Sequence, residues 1–183
     1  MFVVLEMLNK FEREKMSSSM IYQMTEICKT LKKFGINAKK IHRDGTVDVD
    51  ENIDLINKGL SELPLKFGQV NGNFLCCDNE LTSLKGAPQY VSGIFSCARN
   101  KITSLEGCPK EIGEDFICCV NKLTSLANAP TSVGGNFNCS FNPINNLSNI
   151  PTQQIGGNFY ISHCQITNTN ALNGIAIKGA VIK

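Results

Sequence analysis

At 183 residues, 42% of them hydrophobic, the chain has room for one domain with a small appendage around a continuous core. Its formal net charge of +2 singles out no partner, although residues 1–45 sum to about +4 and residues 46–183 to about −2. Nine cysteines, an odd count that recurs at one sequence position, argue against a secreted disulfide scaffold.

No stretch approaches the roughly 18 consecutive apolar residues of a membrane span, so no membrane association is expected. The opening Met1-Phe2-Val3-Val4-Leu5-Glu6 lacks a basic n-region, a long apolar core and a small-residue cleavage site. A cytoplasmic, reduced protein without a signal peptide is therefore expected.

In chain order, Phe2, Val3, Leu5, Leu8 and Phe11 stand at roughly helical spacing and predict a short amphipathic helix over residues 2–15. Ser17-Ser18-Ser19 offers N-caps for a second helix with an apolar stripe of Ile21, Met24, Ile27, Leu31 and Phe34. Lys29, Lys32 and Lys33 suit the negative C-terminal end of that helix, and Gly35 stops it. Residues 36–50 read as a hairpin about Asp44-Gly45, a dipeptide that tolerates a type I′ turn, with Thr46–Asp50 positioned to join a sheet edge. Residues 1–45 are thus assigned to a helical and hairpin cap, and residues 46–183 to a solenoid. Lys39, Lys40 and Arg43, beside the helix lysines, form the one basic cluster; it lacks aromatic stacking partners, so no nucleic-acid binding is expected.

Residues 51–70 resemble a degenerate first coil, with Ile53, Leu55, Asn57, Leu60, Leu63, Pro64, Phe67 and Val70 at irregular spacing. From residue 71 a sentence repeats every twenty-one residues. Phe74-x-Cys76-x-x-Asn79 returns as Phe95-x-Cys97-x-x-Asn100, Phe116-x-Cys118-x-x-Asn121 and Phe137-x-Cys139-x-x-Asn142, each followed by apolar residues and a proline. Matching columns at a fixed short period specify a stacked solenoid. The Phe-x-Cys alternation predicts a short strand burying both residues, so that Phe and Cys stack in parallel columns. The Asn sits where the chain leaves the strand, and its carboxamide is assigned to backbone groups left unpaired there. In the last coil an extra residue near Gln153-Gln154 moves Phe159 to a spacing of twenty-two, places Ile161 at the Cys position and Cys164 at the Asn position. The alternating tail Ile175–Ile182 predicts one or two final strands with an edge suited to a homodimer.

The L-x-L-x-x-N-x-L pattern in Phe95-x-Cys97-x-x-Asn100-x-Ile102 and its equivalents resembles leucine-rich repeats of the short bacterial kind. With Phe and Cys in place of two leucines, it is similar to repeats of small tailed-bacteriophage proteins. One departure is that the apolar residue before the strand stands nine residues ahead of the Asn, at Val70, Val91, Ile112 and Val133, and not eight. The expected fold is a mainly β, right-handed solenoid of about six leucine-rich-repeat-like coils of parallel strands. The resemblance implies a protein-binding module with no shared catalytic residues. A phage origin implies a bacterial host protein or defence component as partner, and the host cytoplasm as its location.

No phosphate loop, nucleophile elbow or paired acid and base is present, and the cysteine spacing does not converge four metal ligands, so no enzyme, metal or cofactor is expected. His163-Cys164 are neighbours whose side chains should point apart, and His42 has no evident partner in the sequence. The outward positions of the strands form the candidate partner-binding surface. One column holds Leu75, Ser96, Ile117, Asn138 and Tyr160; Cys77 and Cys119 lie in the next; Ile94, Asp115, Arg99, Val120 and Phe141 border them. A small, apolar sheet face with a few charges at its rim suits a protein partner, or self-association as the alternative.

Overall fold

The computed structural model describes residues 17–183. The helix expected over residues 2–15 lies outside that range. Helix α1 (Ser18–Phe34) opens on Ser17, whose hydroxyl accepts from the Met20 N–H at 3.3 Å. It closes on Gly35 in the left-handed region at φ 65°, where the backbone can turn without a Cβ clash. Met24, Ile27 and Leu31 are buried; Ile21, expected in the same stripe, is exposed.

The hairpin pairs β1 (Ala38–Ile41) with β2 (Thr46–Val49). Its turn differs from type I′: the Gly45 N–H donates to the His42 carbonyl, and Gly45 alone in the turn has positive φ. This is the longer loop in which a single left-handed glycine absorbs the twist. The turn is packed under the helix, because a Cβ on Gly45 would meet Gln23 and Ile27. The Asp48 carboxylate accepts the Gln69 N–H and lies 2.7 Å from His42 Nε2, so His42 does have a partner. Burial raises the Asp48 pKa, but those two hydrogen bonds outweigh it and hold the group below its ordinary value.

Beyond the hairpin the chain is a mainly β solenoid of about seven coils, one more than expected, because the tail continues the stack. Each coil carries two short strands where the sequence pattern predicted one. One sheet runs β1-β2-β4-β6-β8-β10-β12-β14, with β4 (Lys66–Val70), β6 (Tyr90–Val91), β8 (Glu111–Ile112), β10 (Ser132–Val133), β12 (Gln154–Ile155) and β14 (Ala176–Ile177). The other runs β3-β5-β7-β9-β11-β13-β15, with β3 (Ile53–Asp54), β5 (Phe74–Leu75), β7 (Phe95–Ser96), β9 (Phe116–Ile117), β11 (Phe137–Asn138), β13 (Phe159–Tyr160) and β15 (Val181–Ile182). All pairs after the hairpin are parallel; β2 on β4 carries a register shift between Val47 and Val49, and the later pairs align like residues, Phe74 on Phe95 and Val91 on Ile112. The apolar residue nine before each Asn therefore belongs to a strand of its own, which accounts for its displacement from the leucine-rich pattern. A 3₁₀ turn, Asn170–Gly174, precedes the last coil.

The core is a set of columns. Phe74, Phe95, Phe116, Phe137 and Phe159 are fully buried, with successive ring centroids 4.7–6.0 Å apart. Such aromatic pairs contribute about 0.5–1.5 kcal/mol beyond burial itself. Cys76, Cys97, Cys118 and Cys139 are likewise fully buried, and none of the nine cysteines forms a disulfide. The inserted residue of the sixth coil lies between Asn149 and Gln153: Asn128 and Asn149 share a left-handed turn twenty-one apart, whereas Gln153 bonds Thr131, twenty-two away.

Candidate partner-binding surface

Within each rung, Phe74 and Cys76 point inward, Leu75 and Cys77 outward, and the chain then reverses so that Asn79 points inward again. The reversal is made by one residue per coil in the left-handed region: Asn57, Asp78, Arg99, Val120, Phe141 and His163, with φ between 49° and 58°. The inward Asn closes the turn. Asn121 accepts the Ile102 N–H through Oδ1, and its Nδ2 donates to the carbonyls of Cys97, Cys118 and Cys119 at 3.0–3.3 Å. Asn100 and Asn142 repeat this pattern of one acceptance from the preceding coil and donation to three carbonyls, and Asn79 accepts from both Lys58 and Leu60 while donating to three carbonyls. Among the described residues no buried side-chain nitrogen or oxygen lacks a partner.

A second polar ladder, not read from the sequence, runs along the other border of the sheet. Asn52, Asn73, Asp115, Asn136 and Asn158 each accept the backbone N–H one coil further on. Its signal was present as amides at near-constant spacing, interrupted where Ile94 replaces an Asn. The Asp115 carboxylate, assigned to the rim of a binding surface, is thus engaged in holding Asn136.

Of the outward residues, Leu75, Ile117, Asn138 and Tyr160 are half-buried, as are Cys77, Cys119, Ile94 and Asp115; Ser96 is buried. The expected open exposure is reduced because rungs about 4.8 Å apart shield one another's short side chains. Asn138 accepts the Ser140 N–H, and the Tyr160 hydroxyl accepts from Asn158. Burial pushes the Cys77 and Cys119 thiols up, so neither is a ready nucleophile.

The exposed part of the surface is the ridge of left-handed residues. Val120 is 43% and Phe141 52% exposed. Phe141 stacks on His163, ring centroids 4.2 Å apart and planes within 11°. At the other end the Arg99 guanidinium forms two bonds with Asp78, the Nη2 one at 2.9 Å, and this holds the Asp78 carboxyl below its ordinary range. Lys101 pairs with Glu80 one step beyond. The structure therefore brings Arg99, Val120 and Phe141 into one line and adds His163, which the sequence reading treated only as a neighbour of Cys164. The shift to a spacing of twenty-two hid it.

A separate open groove of about 620 Å³ between Thr46, Lys66, Lys85, Gln89 and Glu106 carries both signs of charge, with Lys66 tied to Asp44. It gathers no acid, base and nucleophile set. No helix among the described residues is long and apolar enough to cross a membrane.

No protein-family model, curated protein or solved structure matches this chain.

Proposed function

We propose that this chain is a non-enzymatic protein-binding module. It engages its partner through the outward face of the sheet that begins with β3 and through the ridge Arg99-Val120-Phe141-His163. The observation that supports this reading is the identity of the ridge residues. A left-handed position favours Gly, Asn or Asp, and the first two coils use Asn57 and Asp78 there. The middle coils instead place Arg99, a β-branched Val120 and Phe141 at that position, two of them apolar and exposed. Holding such residues in this conformation costs on the order of 1–2 kcal/mol each, and Val120 and Phe141 stay exposed there. Strain combined with exposed apolar surface is characteristic of a contact surface.

The similarity to leucine-rich repeats of tailed phages makes a bacterial host or defence protein the partner we propose. A pull-down from bacterial lysate tests this, comparing the native chain with a variant in which Leu75, Ile117 and Tyr160 are all replaced by Glu. The expected result is one protein retained by the native chain and lost by the folded variant. Equal capture by both would refute the assignment to this face.

Self-association is the second reading, and a particular feature favours it: Val181 and Ile182 of β15 are 36% and 38% exposed beside a strand edge that is unpaired among the described residues. Concentration-dependent dimerisation in sedimentation, abolished by Ile182→Lys, would support this over a host partner.

A further inference from the structure

Coil six departs from the others at one chemically consequential point. Pairing of Phe137 with Phe159 places Cys164 over Asn142. Where the Asn142 carboxamide donates to the Cys118 carbonyl at 3.1 Å, the Cys164 thiol points to the corresponding Cys139 carbonyl at 3.5 Å. Replacing an amide by a thiol at this position brings a second sulfur against the buried cysteine column. Cys139 is fully buried, with its sulfur also 3.5 Å from the Tyr160 carbonyl, whereas Cys164 is half-buried. On the carbonyls of the other column cysteines, Cys76, Cys97 and Cys118, the group from the next coil is an asparagine carboxamide, so this replacement occurs once.

We propose that Cys139 and Cys164 are a peroxide-sensitive dithiol that closes to a disulfide joining the fifth and sixth coils. The neighbouring Cys139 side chain, followed by the Asn142 backbone, lowers Cys164 to about 7 against the opposing effect of burial, so its thiolate is populated at neutral pH. Burial pushes the Cys139 thiol well up and keeps it protonated. Hydrogen peroxide is the oxidant. The Cys164 thiolate attacks one peroxide oxygen, the O–O bond breaks, and the departing hydroxide takes a proton to become water. Cys164 is then a sulfenic acid. The Cys139 sulfur attacks the Cys164 sulfur and gives up its proton; the S–S bond forms, the S–O bond breaks, and a second water leaves. Overall, two thiols and one hydrogen peroxide give one disulfide and two waters. Because His163 stacks on Phe141, the bridge forms immediately beside the exposed ridge.

The test is to expose the reduced, full chain to one equivalent of hydrogen peroxide, block remaining thiols under denaturing conditions and map linked peptides by mass spectrometry without reduction. The expected result is loss of two of the nine thiols, with one intrachain link between the peptides carrying Cys139 and Cys164. Cys164→Asn restores the residue of the other coils, so it should stay folded by circular dichroism and form no link. Cys139→Ala should leave a Cys164 sulfenic acid that dimedone captures. Retention of all nine thiols by the native chain, or a dominant link through any other pair, would overturn the proposal.

Discussion

A buried carboxamide is the residue-scale device on which each coil depends. At Asn121 one side chain satisfies four backbone groups, two in the preceding coil and two around its own turn, while remaining 9% exposed. Alanine there would leave those groups without partners in a space too small and apolar to hydrate them well. Leaving a buried polar group unpaired costs about 1–3 kcal/mol. Asn121→Ala is therefore expected to lower unfolding free energy by at least about that amount in urea denaturation; a change within error would show that water replaces the amide. The role of this column was legible in the sequence, because an Asn repeating at the end of a buried strand has one obvious structural use. The role of Asp115 was not, since a single carboxylate at a rim looks the same whether it faces a partner or a backbone N–H.

At the scale of the element, the rung is a strand, a left-handed residue and an inward Asn. This turn accounts for both the tight closure of the coil and the ridge that it displays. Its preference for Asn conflicts with the residues found at coils three to five, which separates stability from binding. Val120→Asn relieves a β-branched residue held at φ 55°, and is expected to stabilise the fold by about 1 kcal/mol in thermal or urea unfolding. The same variant should weaken capture of the partner, as expected when stability has been exchanged for function. Stabilisation with undiminished capture would remove Val120 from the binding surface. The two-strand rung itself escaped sequence reading. Val91 and Phe95 are separated by a Ser-Gly corner too short to suggest two elements, and two-residue strands carry almost no periodicity to detect. The corner's closeness is visible only in space: a Cβ on Gly134 would collide with the carbonyl of Gly113 one coil below.

In the whole molecule, every coil rests on its neighbours, so core reactivity reports on the integrity of the stack. Cys76, Cys97, Cys108 and Cys118 are buried, and burial pushes their thiols far above the ordinary range. In native protein at pH 8 these four are expected to resist iodoacetamide and to be labelled together once urea unfolds the stack. Early, separate labelling of Cys118 would show that the central coils open independently. The N-terminal end is sealed by α1 and the hairpin. β2 makes the transition, pairing antiparallel with β1 and parallel with β4.

The sequence by itself determined the stack: residues alike in volume and polarity, recurring at one short period, can all be buried only if successive coils lie in register. From that followed the Phe and Cys columns, the inward Asn, the capped helix and the slipped register of coil six. Tertiary structure alone decided the second strand of each coil, the alignment of Arg99, Val120, Phe141 and His163 into an exposed line, and the approach of the Cys164 thiol to the Cys139 carbonyl. Those features depend on where the backbone turns and on distances of a few ångströms between rungs, and a one-dimensional period records which residues share a column but not which atoms meet across it.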